Sequence, residues 1–186
     1  MAMNRRDALK NMVLMMGGTM VGANVILTGC APEDRIEGLD FSDSEIAYMD
    51  EIGEAIIPTT DTPGAKATGI GVFMATMVRE TYNKEQQETW IRGLNEIRDG
   101  FKKEMGNDFM SGTVEQRTEY LNSLNRKGRD IENEDGPQYI NMMKDLTLLG
   151  YFTSEIGATQ QLRYVETPGR YDGCTDYTVG DKVWAI

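Results

Sequence analysis

The two cysteines of this chain are the side chains whose surroundings best indicate chemistry. Cys30 ends the run Leu-Thr-Gly-Cys at residues 27–30, which has the form of a lipobox. We therefore expect the peptide to be cut before Cys30 and the thiol to be diacylated. Two acyl chains hold a protein stably on a membrane, whereas one chain gives only marginal binding. An uncleaved N-terminal anchor and a plain signal peptide are the alternatives.

Cys174 has no other cysteine to pair with if Cys30 is acylated. An odd cysteine in an oxidising compartment indicates a disulfide to another chain or a free thiol. Burial of Cys174 as a small hydrophobe, a disulfide to a partner subunit and a catalytic thiol all remain open. The catalytic thiol is the least favoured, because the chain has no histidine to activate it.

The absence of histidine removes Ser-His-Asp and Cys-His catalysis, histidine-ligated zinc and histidine-ligated haem. The Gly69-Ile70-Gly71 run resembles the start of a dinucleotide fingerprint, but Met74 stands where the third glycine belongs. Paired acids such as Glu85 and Glu88 have the spacing of a solvated helix face. We therefore expect no catalytic, cofactor-binding or metal-binding residue in this chain.

Arg5 and Arg6 lie in a segment that fits the twin-arginine export pattern, a route that carries folded proteins. The apolar run at residues 12–27 contains three glycines and is too short for a typical membrane span of about 20 apolar residues. Together with Cys30, these features predict a lipid-anchored protein on the periplasmic side of a bacterial membrane.

The chain is predicted to have three parts: a twin-arginine lipoprotein signal at residues 1–29, a tether at residues 30–41 and a helical domain at residues 42–186. The signal carries three of the 19 basic and one of the 30 acidic residues, so the rest has a net charge of −13 instead of −11. This acidity disfavours binding to nucleic acid and to anionic lipid.

Hydrophobic periodicity predicts an all-α fold: a single domain of about five helices with an irregular, extended C-terminal tail. Capping boxes at Ser42 with Glu45 and at Thr113 with Gln116 predict the starts of the first and fourth helices. Pro58 is predicted to end the first helix, and Gly106 the third. The other two helices are predicted at residues 71–82 and 137–159.

The inward faces of the helices are predicted from apolar residues at helical spacing, most clearly on the third helix. They are Ile46, Met49, Ile52 and Ile56; Val72, Ala75, Val78 and Tyr82; Trp90, Leu94, Ile97, Phe101 and Met105; Val114, Tyr120, Leu121 and Leu124; and Met142, Leu146, Leu149, Phe152 and Ile156. Gly150 is expected to kink or divide the fifth helix.

The tail after Gln160 has the composition of an interface, because it combines arginine, aromatic side chains and glycine in an acidic protein. Local pairing of Arg170 with Asp172 or Asp176 in a turn is an equally favoured and compatible role for that arginine. The residues predicted to contact a partner are Arg163, Tyr164, Arg170, Tyr171, Cys174 and Trp184.

Three segments resemble the gluconate 2-dehydrogenase subunit 3 family. They are Ile-Ile-Pro-Thr-Thr-Asp-Thr-Pro-Gly-Ala-Lys at residues 56–66, Gly-Tyr-Phe-Thr-Ser-Glu-Ile-Gly at residues 150–157 and Pro-Gly-Arg-Tyr-Asp-Gly at residues 168–173. The twin-arginine leader is typical of the same family. The resemblance extends over roughly residues 41–174.

The resemblance implies a small helical subunit without a cofactor, which supplies the export signal and stabilises a large subunit. That large subunit would be a FAD-dependent flavoprotein of the glucose-methanol-choline type, acting on a sugar, a sugar acid or a glycoside. A cytochrome c subunit with haem c commonly accepts the electrons. A stand-alone periplasmic lipoprotein that binds a ligand or another protein is the alternative function.

Overall fold

The computed structural model describes residues 35–129, 138–167, 169 and 173–185, without the side chains of residues 127–129. The predictions for Arg5, Arg6 and Cys30 lie outside the described residues. The described part contains the α-helices α1 Asp43–Ile56, α2 Ile70–Thr81, α3 Lys84–Met105, α4 Val114–Arg129 and α5 Gln138–Thr153. Two 3₁₀ turns, Ala65–Thr68 and Phe109–Ser111, and a π-helical turn, Gly157–Gln161, connect or follow them. The strands β1 Arg163–Tyr164 and β2 Trp184–Ala185 pair in parallel. The predicted all-α architecture is confirmed.

Local sequence signals set the helix ends. Ser42 and Glu45 exchange the two hydrogen bonds of a capping box at the start of α1. Thr113 and Gln116 do the same at the start of α4. Gly106 closes α3 in the left-handed region, with φ +79°, which a side chain with a Cβ adopts at a cost.

The predicted inward face of α3 packs into the core and is confirmed. Trp90, Leu94, Ile97 and Phe101 are all buried. Phe101 makes edge-to-face contacts with the rings of Phe109 and Tyr120, and these contacts join α3 to the following 3₁₀ turn and to α4. In the rest of the core, α1 packs against α2 and α4, and α5 packs against α2 and α3.

The face predicted for α2 is wrong at Val72, which is 56% exposed, while Ile70 and Met74 are fully buried. The rotation of α2 follows from Gly71, where a Cβ would lie 2.3 Å from the backbone oxygen of Ile46 in α1. Because only glycine permits this close approach, Gly71 faces α1, and the next residue in the helix turns outward.

The face predicted for α5 is also partly wrong, since Leu149 and Phe152 are exposed. The buried face instead carries Tyr139, Ile140, Met143, Leu146, Thr147, Gly150 and Tyr151. Gly150 does not divide the helix, but the predicted end of the helix at residue 159 is wrong, because α5 ends at Thr153 and is followed by the π-helical turn. A Cβ on Gly150 would lie 2.5 Å from Ile70 and 2.6 Å from Phe73, so this glycine lets α2 pack closely against α5.

A buried ion pair ties α1 to α4. The Arg117 side chain donates hydrogen bonds to Glu51, to the backbone oxygen of Phe109 at 2.8 Å and to that of Met110 at 3.0 Å. Glu51 also accepts a hydrogen bond from Lys66, which raises the pKa of the lysine above its ordinary value. Burial of this charge is tolerated because the guanidinium is paired with a carboxylate and each of its three nitrogens donates a hydrogen bond.

Residues 35–41, in the stretch predicted to be a tether, lie against the junction of α2 and α3. The backbone N–H of Ile36 donates to Gln87 Oε1 at 2.7 Å, and the Phe41 side chain is buried. Among the described residues, no helix is long and apolar enough to cross a membrane.

Candidate partner-binding surface

The loop at residues 57–66, named the signature loop here, is held in place by the buried carboxylate of Glu54. Glu54 Oε1 accepts hydrogen bonds from the Thr59 backbone N–H at 2.8 Å and from the Thr59 hydroxyl at 2.6 Å. Its Oε2 accepts one from the Lys66 backbone N–H at 3.1 Å. A Cβ at Gly64 would lie 2.4 Å from Oε2, so a glycine there is needed for the carboxylate to fit.

The signature loop is also tied to the end of α5. The hydroxyl of Tyr151 donates to the backbone oxygen of Pro63 at 2.8 Å. The hydroxyl of Thr62 lies 2.9 Å from Gln161 Oε1 in the π-helical turn. Two of the three segments that carry the family resemblance, far apart in sequence, are therefore in contact at one end of the helical domain.

Ser154 and Gly157 turn the chain at this end. The Ser154 hydroxyl donates to the Tyr151 backbone oxygen at 2.6 Å and accepts from the Gly157 N–H at 3.0 Å. A Cβ at Gly157 would lie only 1.9 Å from the Tyr151 oxygen, so this position requires glycine. The close turn directs the chain from α5 into β1.

The described part of the tail returns to this end of the domain through the pairing of β1 with β2. The Arg163 N–H donates to the Val183 oxygen at 2.8 Å, and the Val165 N–H donates to the Ala185 oxygen at 3.0 Å. The Arg163 guanidinium lies over the Trp184 ring, 4.0 Å from its centroid, in a cation–π arrangement.

A cavity of about 490 Å³ opens beside β1. Its lining residues are Thr159, Leu162, Arg163, Tyr164 and Lys182. The Lys182 ammonium donates to the backbone oxygen of Gln160, and Lys182 and Arg163 line the same cavity in a strongly acidic chain. Such a position favours contact with a carboxylate of another molecule.

The structure brings three of the predicted interface residues together: Arg163, Tyr164 and Trp184. Cys174 is exposed and forms no disulfide within the described residues, so the alternative of a buried small hydrophobe is wrong. The predictions for Arg170 and Tyr171 lie outside the described residues, as does the pairing of Arg170 with Asp172 or Asp176.

Sequence reasoning missed an apolar ridge on α5, which we define as Leu148, Leu149 and Phe152. Their exposed fractions are 42%, 47% and 37%. The available signal was the run Leu-Leu-Gly-Tyr-Phe at residues 148–152, which is apolar on every side of the helix rather than on one stripe. Glu54 was missed as well, although an acid on the apolar face just before an Ile-Pro pair is an unusual position.

A second cavity, of about 710 Å³, lies between the end of α1 and α4. It is lined by Glu54, Pro58, Thr59, Val114, Glu115, Thr118, Glu119, Asn122 and Arg126. Glu54 is one of these lining residues, and its hydrogen bonds to the signature loop give it a structural role. In the described part of the chain, no three acidic or thiol side chains are grouped to hold a metal ion.

A family model described as gluconate 2-dehydrogenase subunit 3 matches residues 43–169, from the start of α1 to just beyond β1. No curated protein and no solved structure matches the chain. The matched region includes the signature loop, α5 and the π-helical turn, and it makes up more than half of the sequence. The chain therefore belongs to the gluconate 2-dehydrogenase subunit 3 family.

Proposed function

We propose that this chain is the non-catalytic small subunit of an oxidoreductase complex, and that it escorts, stabilises and tethers the large subunit. The large subunit is a FAD-dependent dehydrogenase of the glucose-methanol-choline type that acts on sugars, sugar acids or glycosides. FAD belongs to that partner, and haem c to a possible cytochrome subunit. The observation that carries this proposal is the family match over residues 43–169.

The partner would bind at the end of the domain where the signature loop, the π-helical turn and the tail meet. Arg163, Tyr164 and Trp184 are exposed there and lie together. Arg170 and Tyr171 belong to the same proposed surface by their position in sequence. In support of this placement, the surface combines two aromatic rings with a guanidinium, which is the composition of energetically important interface positions.

Two variants of the leader separate export from anchoring when the small and large subunits are produced together. Replacing both Arg5 and Arg6 by lysine should leave the flavin-carrying large subunit in the cytoplasm, because it depends on the signal of the small subunit. Replacing Cys30 by serine should permit export but release the large subunit from the membrane. Arg92→Lys on the exposed face of α3 is the matched control and should change neither result.

Cell fractionation followed by flavin fluorescence measures both outcomes. Normal export of the large subunit with the Arg5 and Arg6 variant would contradict the escort role. Retention of the complex on the membrane with Cys30→Ser would contradict anchoring through that residue. If the isolated full chain remains a monomer and binds no flavoprotein, the stand-alone lipoprotein is the better interpretation.

The exposed thiol of Cys174 is accessible for a disulfide to the large subunit. In that case, a non-reducing gel of the complex should show a band that contains both subunits and disappears with Cys174→Ser. A band that persists in this variant would rule out the linkage through Cys174.

A further inference from the structure

We infer that the apolar ridge on α5, Leu148, Leu149 and Phe152, is the centre of the contact with the large subunit, and that the tail forms its rim. This inference rests on the proposed function. The three side chains lie within five residues of one helix and are each more than a third exposed. Exposed apolar side chains that are grouped in this way mark interaction sites, whereas isolated ones are ordinary.

The ridge occupies only the second half of the outward face of α5. The first half of that face carries the polar side chains of Gln138, Asn141 and Asp145, all exposed. The apolar part is therefore confined to the end of the helix that leads into the π-helical turn. A helix exposed merely to solvent would be polar along its whole outward face.

The ridge is continuous with the surface that the tail forms. The Phe152 ring contacts the Tyr151 ring edge to face, with centroids 5.3 Å apart. The Tyr151 hydroxyl in turn donates a hydrogen bond to the signature loop. The π-helical turn packs on both α5 and β1, so one path of contacts leads from the ridge to Arg163. An apolar centre with a polar, charged rim is the usual arrangement of a protein interface.

The extent of the family match favours the ridge over the tail as the centre of the contact with the large subunit. The match includes all of α5 but ends at residue 169, before Trp184. A surface that serves a function common to the family should lie within the region that the family model describes. The described residues of that region contain three other exposed large apolar side chains, and none of them is on α5: Val72 on α2, Met110 in a 3₁₀ turn and Tyr164 in β1.

The surroundings of the ridge also favour a protein partner over a lipid surface. Asp145 and Glu155 flank the ridge, and both are exposed. With a net charge of −13 beyond the signal segment, this face would be repelled by anionic lipid. The complementary surface on the large subunit should therefore be an apolar depression with basic residues where it faces Asp145 and Glu155.

The test uses the full chain in detergent, with the purified flavin-carrying large subunit as the binding partner in surface plasmon resonance. The double substitution Leu149→Asn and Phe152→Asn should raise Kd by at least about tenfold per residue, the effect of removing buried anchors. Met110→Asn, at an equally exposed apolar position away from α5, should leave Kd unchanged. Circular dichroism should show the same helix content in all three proteins, because the substituted side chains are exposed.

If the wild-type chain binds tightly and the double variant has the same Kd, the ridge is not the centre of the contact with the large subunit. The proposed function would remain intact. No binding by the wild-type chain would instead refute the proposed function. A dimer of the chain alone that the double variant abolishes would assign the ridge to a second copy. Binding to anionic vesicles that the double variant abolishes would assign it to lipid. Either result would overturn the inference.

Discussion

Replacing Glu54 by glutamine removes one charge from the centre of the signature loop while it keeps the shape of the side chain. The carboxylate accepts three hydrogen bonds, two from Thr59 and one from the Lys66 N–H. Glutamine has only one acceptor oxygen. If that oxygen faces Thr59, the amide NH₂ faces the Lys66 N–H, and two donors are left without partners in a buried site.

The cost follows from the number of bonds lost. A hydrogen bond to a charged group contributes about 1.5–3 kcal/mol, and a buried unpaired donor costs about 1–3 kcal/mol. We therefore expect Glu54→Gln to lower the free energy of unfolding by about 2–4 kcal/mol. For a domain of this size, that corresponds to a fall in Tm of roughly 5–15 °C.

Urea unfolding followed by circular dichroism measures the change, with Glu119→Gln as the matched control. Glu119 lines the same cavity between α1 and α4 but is exposed, so its substitution should change stability by less than about 0.5 kcal/mol. If Glu54→Gln and Glu119→Gln unfold at the same urea concentration, the carboxylate does not hold the loop and the reasoning is wrong.

Three further predictions follow from the packing. Gly157→Ala should lower Tm and displace the turn after α5, because the new Cβ would clash with the Tyr151 oxygen. Thermal melting followed by tryptophan fluorescence measures this change, and an unchanged Tm would contradict the prediction. Arg117→Lys should lower the free energy of unfolding in urea by about 2–4 kcal/mol, since one ammonium cannot reach Glu51 and two carbonyls together. A decrease of less than about 0.5 kcal/mol would contradict a stabilising role for this buried ion pair. Burial raises the pKa of Tyr120 from 10.0 to about 12, so its neutral form contributes stability that is complete below pH 10 and lost as the pH rises through about 12. Urea unfolding measured at several pH values across this range should show that the free energy of unfolding falls more steeply with pH for the wild type than for Tyr120→Phe. An equal dependence on pH in the two proteins would refute this prediction.

Most helix boundaries could be predicted from the sequence because local interactions determine them. The capping boxes at Ser42 and Thr113 involve residues three positions apart, and Gly106 closes its own helix. The inward face of α3 was also predictable, because its polar residues confine the apolar ones to a single stripe.

The face of α5 could not be predicted in the same way. Residues 146–152 are apolar on nearly every side of the helix, so several orientations satisfy the periodicity equally well. The orientation adopted depends on the close approach of Ile70 and Phe73 to Gly150, a contact between residues distant in sequence. The outward orientation of Val72 also depends on a contact between distant residues, the close approach of Gly71 to the backbone oxygen of Ile46.

The candidate surface was predictable in composition but not in geometry. The tail residues Arg163, Tyr164 and Trp184 stood out by type, but strands of two residues have no period that predicts their pairing. The role of Glu54 depends on a loop that folds back over the helix end, and no local pattern predicts that fold.

The most direct test of the central claim is co-purification of the full chain with a flavin-carrying large subunit from cells that produce both. We expect a stable complex with flavin absorbance that contains equal amounts of the two subunits. This complex should be lost when Leu149 and Phe152 are both replaced by asparagine. Purification of the wild-type chain alone, without flavin and as a single monodisperse species, would contradict the claim that it is the small subunit of an oxidoreductase.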